Sequence, residues 1–253
     1  MALRTIGIIV AMPEEIKPLL RGIPSIFPEK IGTYPVYRFT QNNRQFVIIE
    51  SGIGPDRALG AAQAITEALN PELLISMGFG GGVSGGLAAG DIVIGTRFLA
   101  HEGACMVEEV GVIVAPLPAA LARKQEDGGF TIAEGTIIST AHIQLKSAIV
   151  GQMPGDVRRG VVDMETCAIV RFATLTRMPL MAIRSISDGL DEELGFTMDE
   201  FMDRSMQVSV LKVFMTVARK PWIIPQLYRL SRNTRKAGRN LSLVFTRLRE
   251  TLS

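Results

Sequence analysis

The chain has 253 residues, with 27 Lys and Arg against 25 Asp and Glu, and 47% of its residues are apolar. This length suits one α/β domain that buries roughly 70–75% of its unfolded surface, and the apolar content excludes a disordered chain. Two cysteines, Cys105 and Cys167, cannot build a disulfide framework, and two histidines, His101 and His142, argue against a histidine-rich metal site.

Short apolar runs alternate with helical stretches along most of the chain. Six runs predict strands, at Thr5–Val10, Phe46–Glu50, Leu73–Ser76, Asp91–Ile94, Thr136–Ser139 and Leu180–Arg184. Two stretches that end shortly before a proline predict helices, at Asp56–Leu69 and Met164–Thr176. Near-continuous apolar strands suit a sheet that is covered on both faces. The pattern therefore predicts a three-layer α/β/α fold.

The charge changes sign near residue 219. Residues 219–253 carry nine basic residues and one acidic residue, whereas residues 1–218 carry 18 basic and 24 acidic residues. Apolar residues recur in the tail at a spacing close to three or four: Leu227, Leu230, Ala237, Leu241, Val244, Leu248 and Leu252. This pattern predicts a catalytic domain at 1–218 and a basic amphipathic helical extension at 219–253. The helix either packs on its own body or a second subunit, or lies on anionic lipid.

Two glycine-rich segments directly follow predicted strands. Ser51–Pro55 precedes a helix, so it is either a tight turn or a place where backbone N–H groups meet an anion or a sugar hydroxyl. Gly78–Gly82 is either a flexible surface loop or a pocket wall built from backbone. Neither segment has the spacing of a dinucleotide fingerprint or a Walker loop.

Carboxylates stand at or just beyond apolar strands and inside an apolar helix. Glu14 and Glu15 follow the first strand, Glu165 lies in the predicted helix, and Asp188 follows the last strand. Each alone is a helix cap or a satisfied buried carboxylate. Together they indicate a site, since buried carboxylates have raised pKa values and serve as general acids.

Taken in order, the motifs resemble those of the purine nucleoside phosphorylase and nucleosidase superfamily. They are Gly7–Glu15, Ser51–Gly54, Gly78–Gly81 with Gly90–Val93, Asp163–Glu165 and Arg184–Asp188. The start is most similar to methylthioadenosine/S-adenosylhomocysteine nucleosidases, and the resemblance covers about residues 5–217. It implies a central mixed, twisted sheet and, as in most of the family, a homodimer. The basic tail lies outside it and is similar to a feature of hopanoid-associated phosphorylases.

The resemblance implies a role for each matching residue. Glu15 corresponds to the acid/base that activates water, and Asp188 to the acid that protonates N7 of the purine, with Ser187 as its orienting neighbour. Met164 and Glu165 correspond to the pair that holds the ribose. Three further substrate-binding positions follow from it: Gly78, Phe79 and Ile143. Ile143 lies in a stretch that departs from the family pattern, where nucleosidases place a phenylalanine against the adenine.

The nucleophile stays open at this stage. Ser76 and Phe79 stand where the phosphorylases have phosphate-binding groups, and a phosphate without an arginine is poorly held. This favours hydrolysis of a 5′-substituted adenosine without any cofactor, although Arg57, Arg97 or Arg184 could substitute. The alternatives are a phosphorylase with phosphate as co-substrate, in one version acting on an adenosyl-hopanoid lipid, and a non-catalytic nucleoside-binding protein. We expect a cytoplasmic location with an optional peripheral contact at the inner membrane, and no nucleic-acid partner.

Overall fold

The computed structural model describes residues 4–103, 105–118, 121, 129–190, 192 and 224–252. Its strands are β1 (Arg4–Val10), β2 (Phe27–Ile31), β3 (Tyr34–Gln41), β4 (Arg44–Glu50), β5 (Leu73–Gly82), β6 (Ile92–Glu102), β7 (Cys105–Glu108), β8 (Ile132–Thr140), β9 (Val161–Asp163) and β10 (Leu180–Asp188). The helices of this described part are α1 (Pro13–Leu20), α2 (Pro55–Leu69), α3 (Lys146–Gln152), α4 (Thr166–Thr176) and α5 (Ile224–Thr251).

The strands form one mixed sheet in the order β10-β6-β8-β9-β5-β1-β4-β3-β2. In addition, β10 pairs in parallel with β5, so that β5, β10, β6, β8 and β9 close into a ring. One edge of β5 changes partner along its length, because Leu73–Ser76 pair with β1 whereas Gly81 and Gly82 pair with β9. This change opens a gap beside the middle of β5, between the ends of β1 and β9.

Alternating side chains of the sheet pack against helices on both faces. Ile8 of β1 lies in the core cluster with α1 and α5, whereas its neighbour Ile9 lies in the cluster with α2 and α4. Both isoleucines are almost completely buried. The three-layer α/β/α fold with a mixed sheet is therefore confirmed.

The C-terminal helix α5 is part of one of these layers. Leu241, Val244, Phe245 and Leu248 are completely buried in the same cluster as β1 and α1. The hydroxyl of Ser242 donates a hydrogen bond of 2.7 Å to the carbonyl oxygen of Pro18 in α1. The predicted helix is confirmed, and its second half packs on the body of the molecule. No helix in the part of the chain described above has the length and apolar composition needed to cross a membrane.

Several elements were not predicted from the sequence. The β2–β3 hairpin was missed because β2 is exposed along most of its length and so carries no alternating apolar pattern. The segment Gly78–Gly82, for which a surface loop was one interpretation, is the second half of a buried strand. The helix predicted from Met164 begins at Thr166, with Glu165 at its N-cap.

Candidate active site

Glu15 is buried at the N-terminal end of α1, with 2% of its surface exposed. Its carboxylate accepts backbone N–H hydrogen bonds from Ala11 (3.1 Å) and Met12 (3.0 Å) through Oε2, and from Phe79 (2.6 Å) through Oε1. Burial raises the pKa of Glu15 from its ordinary value of 4.5 to about 7, although these hydrogen bonds and the charge of Arg184 oppose the rise. Near neutral pH this carboxylate can therefore both accept and release a proton.

The glycines of β5 are required because other groups lie directly against its backbone. A Cβ at Gly78 would stand 2.6 Å from Oε1 of Glu15. A Cβ at Gly80 would overlap Val161 of β9, and one at Gly81 would stand 3.2 Å from Oδ2 of Asp188. This half of β5 is thus a wall of backbone with carboxylates packed on it.

Glu165 faces the same region from the start of α4. Its carboxylate accepts hydrogen bonds from the backbone N–H of Gly54 (2.8 Å) and of Met164 (3.3 Å). Burial, followed by the negative charge of Asp163, raises the pKa of Glu165, and the positive charge of Arg184 partly offsets this. The Ser51–Pro55 turn therefore orients this carboxylate through the N–H group of Gly54.

Arg184 is buried, and its guanidinium is hydrogen-bonded inside the protein. It donates to Oδ2 of Asp163 (2.8 Å), to Oγ of Ser76 (2.8 Å) and to Oγ1 of Thr166 (2.7 Å). It also donates to the carbonyl oxygen of Ile183 (2.9 Å). Four of the five N–H groups of Arg184 are therefore engaged within the protein.

The two other arginines considered as phosphate ligands lie elsewhere. Arg97 pairs with Glu108 at 2.8 Å and with Asp156 at 3.0 Å. Arg57 is exposed, and its side chain folds back against Gly52. The structure therefore places neither of them in the buried cavity beside Glu15.

That cavity has a volume of about 10 Å³, which is the space that the centre of one water molecule requires. Its lining includes polar side chains from α1, β5, the N-cap of α4 and β10: Glu15, Ser76, Glu165 and Arg184. The backbone of Gly78 and Phe79 completes it. The cavity is polar and small.

A wider and more open pocket of about 390 Å³ lies next to it. Met164, adjacent in sequence to Glu165, lines this pocket together with Gly54, Ile143 and His142. Since Gly54 also binds Glu165, the small cavity and the wide pocket share a wall. Together they offer a polar end for a sugar and an open end for a larger group.

Asp188 ends β10 on the far side of the glycine wall. It forms an ion pair with Lys146, and its Oδ1 lies within hydrogen-bond distance of the hydroxyl of Ser187, whose single proton is shared between this oxygen and the carbonyl oxygen of Gly80 at 3.2 Å. Gly78 and Gly81, which contact Glu15 and Asp188, are three residues apart, or about 10 Å along a strand. The carboxylates of Glu15 and Asp188 therefore contact opposite ends of the backbone segment Gly78–Gly81.

Most of the predicted site residues come together around β5. Glu15, Gly78, Phe79 and Glu165 line the small cavity, and Met164 and Ile143 line the wide pocket. Asp188 and Ser187 lie at the other end of the glycine segment. The ring of Phe79 lies in the core cluster of α1 and α5, so this residue contributes mainly its backbone to the cavity.

Two residues of this region were not assigned from the sequence. Lys146 was overlooked, although it is the only basic residue between Lys124 and Arg158. Arg184 was considered only as a phosphate ligand. His101 and Cys167 are buried, and the ring nitrogens of His101 are hydrogen-bonded to the side chains of Gln144 and Gln152. Among the described residues, no group of three or more His, Cys, Asp and Glu side chains is arranged to hold a metal ion.

Comparisons with known proteins show the family of the chain. Residues 5–217 match the family profile of the phosphorylase superfamily. A 5′-methylthioadenosine/S-adenosylhomocysteine nucleosidase of Listeria innocua is 31% identical over 227 residues, which cover 82% of this chain and 96% of that protein. A protein of the same name from Actinobacillus succinogenes is 28% identical over 211 residues, covering 78% of this chain and 91% of its own length.

The fold is also that of a solved nucleosidase structure. The 5′-methylthioadenosine/S-adenosylhomocysteine nucleosidase of Neisseria meningitidis, in complex with methylthio-immucillin-A, superposes with a TM-score of 0.68 at 22% identity. The match covers 98% of this chain and 100% of that one. At this identity the likeness establishes the fold.

Proposed function

The chain belongs to the phosphorylase superfamily and, within it, to the 5′-methylthioadenosine/S-adenosylhomocysteine nucleosidases, and from this premise we propose that it hydrolyses a 5′-substituted adenosine and releases adenine. The reaction cleaves the N-ribosidic bond and transfers the sugar to water. It needs no cofactor.

Glu15 beside its small cavity is the observation that carries this proposal. A general base is most effective when its pKa lies near the working pH, and burial brings the pKa of Glu15 to about 7. The adjacent cavity of about 10 Å³ is of the size that one water molecule requires. We assign to Glu15 the activation of this water.

The other carboxylates suit the two ends of the bond that breaks. Cleavage gives the sugar oxocarbenium character, so the negative charge of Glu165 near the ribose stabilises the transition state. Glu165 and Met164 are assigned to the ribose, with Ile143 on the side of the base. Asp188, oriented by Ser187, is assigned the proton that the departing purine needs.

The internal engagement of Arg184 argues against the phosphorylase alternative. A phosphate ion bound in a buried site needs charge-assisted donors, preferably a bidentate arginine. Arg184 is the nearest guanidinium to the cavity, and its donors are already directed at Asp163, Ser76 and Thr166. The position of Glu15 and Glu165 around one cavity, with Asp188 at the other end of the Gly78–Gly81 segment, likewise argues against a non-catalytic binding protein.

Incubation with methylthioadenosine and with S-adenosylhomocysteine, followed by chromatography, tests the activity. We expect free adenine from the wild-type protein, and a loss of about 100-fold or more in the Glu15→Gln variant. The proposal would be contradicted if neither substrate yields adenine, even at a protein concentration at which a single turnover is detectable.

We also propose a homodimer in the cytoplasm. Large apolar side chains are exposed near the wide pocket, at Ile143 (41%) and Leu145 (60%), and on a second face, at Val110 (74%) and Leu175 (85%). Exposed apolar groups that cluster in this way favour a protein interface. Light scattering after gel filtration checks the expectation, and a monomeric mass at micromolar concentration would contradict it.

A peripheral contact with anionic membranes is the second proposal on location. The first half of α5 exposes Arg232, Arg235, Lys236 and Arg239, with Tyr228 exposed beside them. Each basic residue near an anionic surface contributes about 1 kcal/mol. Replacement of Arg232, Arg235 and Arg239 by Gln should therefore weaken co-sedimentation with phosphatidylglycerol vesicles by about 100-fold. Equal sedimentation of the two proteins would remove the proposal, and this variant keeps the buried half of α5 intact.

A further inference from the structure

Lys146, the first residue of α3, directs its ammonium group at the segment that carries Asp188. Its Nζ forms the ion pair with Oδ2 of Asp188 and donates to the carbonyl oxygens of Asp188 (3.1 Å) and Gly189 (2.5 Å). An ammonium group has three protons, so these three acceptors account for all of them. With only 10% of its side chain exposed, Lys146 has no other role on the surface.

The opposite strand is shaped to admit this pair. A Cβ at Gly81 would stand 3.1 Å from Cε of Lys146 and 3.2 Å from Oδ2 of Asp188. Both partners therefore lie against bare backbone, and a larger residue at position 81 would push them apart. The close approach of β5 fixes the lysine and the aspartate as a unit.

The pairing of Lys146 with Asp188 bears on which group supplies the proton to the departing purine. Under the proposed function, on which this inference rests, the departing purine must receive a proton at N7. Oδ2 of Asp188 accepts from the ammonium of Lys146 and Oδ1 from the hydroxyl of Ser187, and a carboxylate that accepts on both oxygens has no proton to give. The ammonium of Lys146 does have one.

We propose that Lys146 and Asp188 act together as the proton donor of the reaction. As the bond between C1′ and N9 breaks, its electron pair stays with the purine. One proton passes from Nζ of Lys146 to the carboxylate of Asp188, and from that carboxyl group to N7. The products are neutral purine and a neutral amine, and solvent restores the ammonium. Lys146 acts through Asp188 and does not itself contact the base.

Other titratable groups face this corner and serve as controls. Glu192 accepts a hydrogen bond from the backbone N–H of Gly189 (3.1 Å) and lies 3.4 Å from Arg229 of α5. His101 of β6 binds Gln144 and Gln152, which flank the ends of α3. Neither residue contacts Lys146 or Asp188 directly in the described structure. We therefore expect Glu192→Gln and His101→Gln to leave the pH profile of kcat in place.

The test compares pH profiles on two substrates. Methylthioadenosine needs a proton on its leaving group, whereas p-nitrophenyl β-D-ribofuranoside releases a phenolate that needs none. In Lys146→Met the kcat for methylthioadenosine should fall about 100-fold at pH 8, with much less loss at pH 5, where solvent can supply the proton in place of Lys146. KM should change little. Turnover of the nitrophenyl riboside should stay within a few-fold of the wild type.

The conservative variant keeps the proposal testable if Lys146→Met does not fold. Arg keeps the positive charge but is not deprotonated in proteins, so Lys146→Arg should preserve the ion pair and still lose kcat for methylthioadenosine at pH 8 as Lys146→Met does. An equal loss on both substrates at all pH values in Lys146→Met would make Lys146 a structural anchor and overturn the proposal. So would a Lys146→Arg variant that cleaves methylthioadenosine at the wild-type rate at pH 8. A wild-type protein that cleaves neither substrate would instead contradict the proposed function itself.

Discussion

Oε1 of Glu15 lies against the bare backbone of Gly78, so closely that a Cβ added at Gly78 would stand 2.6 Å from it. The carboxylate cannot easily retreat, because three backbone N–H groups hold it in place. A strand residue and a helix residue separated by more than 60 positions in the sequence thus fix the base of the reaction together.

This contact predicts a large effect from a single methyl group. Gly78→Ala should lower kcat about 100-fold, since displacement of a catalytic group by about 1 Å has effects of that size. It should also cost about 1–3 kcal/mol of stability through overpacking. Gly85→Ala is the matched control, because no atom lies within 4 Å of its added Cβ. If both variants behave alike in steady-state kinetics and thermal unfolding, the close contact has no catalytic meaning.

The raised pKa of Glu15 predicts how activity depends on pH. Activation of water requires the ionised form, so kcat/KM for methylthioadenosine should rise with pH through about 7. A profile that is flat between pH 5 and 8 would contradict this assignment. The measurement is a series of initial rates at subsaturating substrate.

The same group links stability to pH in the opposite direction. The folded protein holds the proton of Glu15 up to about pH 7, and the unfolded chain releases it near 4.5, so the contribution is fully present below 4.5 and is lost as the pH rises through 7. The difference corresponds to about 3 kcal/mol. Denaturant unfolding should therefore show Glu15→Gln gaining stability relative to wild type between pH 5 and pH 8. A constant difference would show that Glu15 titrates normally.

Arg184 and Asp163 form a buried ion pair whose loss should be costly. Arg184→Met leaves the carboxylate of Asp163 buried without its partner, for which we expect about 3–5 kcal/mol of destabilisation. Arg97→Met breaks ion pairs with the exposed Glu108 and Asp156 and should cost at most about 1 kcal/mol. Urea unfolding of both variants measures the contrast, and equal losses would argue against the buried network.

The buried side of α5 predicts that the basic tail supports the catalytic layer. Leu241→Ala removes a completely buried side chain and should cost about 2–5 kcal/mol, whereas Leu243→Ala, at a residue 42% exposed, should cost at most about 0.5 kcal/mol. Thermal unfolding of the two variants provides the measurement. A tail that is only appended to the body would give small effects at both positions.

The sequence predicts those parts of the fold that local apolar pattern determines. The helix expected at Asp56–Leu69 is present at Pro55–Leu69, and the first strand matches within one residue. The β2–β3 hairpin carries weaker signals, because Pro28 and an exposed β2 obscure it. A turn with positive φ at Asn42 and Asn43, which joins β3 to β4, was the usable local signal in this region.

The contacts that form the site join residues that are distant in sequence, so no local sequence pattern predicts them. Lys146 and Asp188 meet only because β10 pairs with β5 in a register that sets Asp188 beside Gly81. The glycines of β5 looked equally suited to a loop, since their reason lies in Glu15 and Val161, which are distant in sequence. The residue roles, carried over from the family resemblance, remain predictions that the variants above test.

The identity of the nucleophile tests the account most directly. The protein is incubated with methylthioadenosine in two buffers, one free of phosphate and one with about 50 mM phosphate, which is well above the KM values of typical enzymes. The sugar product is identified by mass spectrometry. Adenine and free methylthioribose should form at the same rate in both buffers, because the cavity beside Glu15 has room for one water molecule and Arg184 is engaged elsewhere. Methylthioribose 1-phosphate, formed only when phosphate is present, would contradict it.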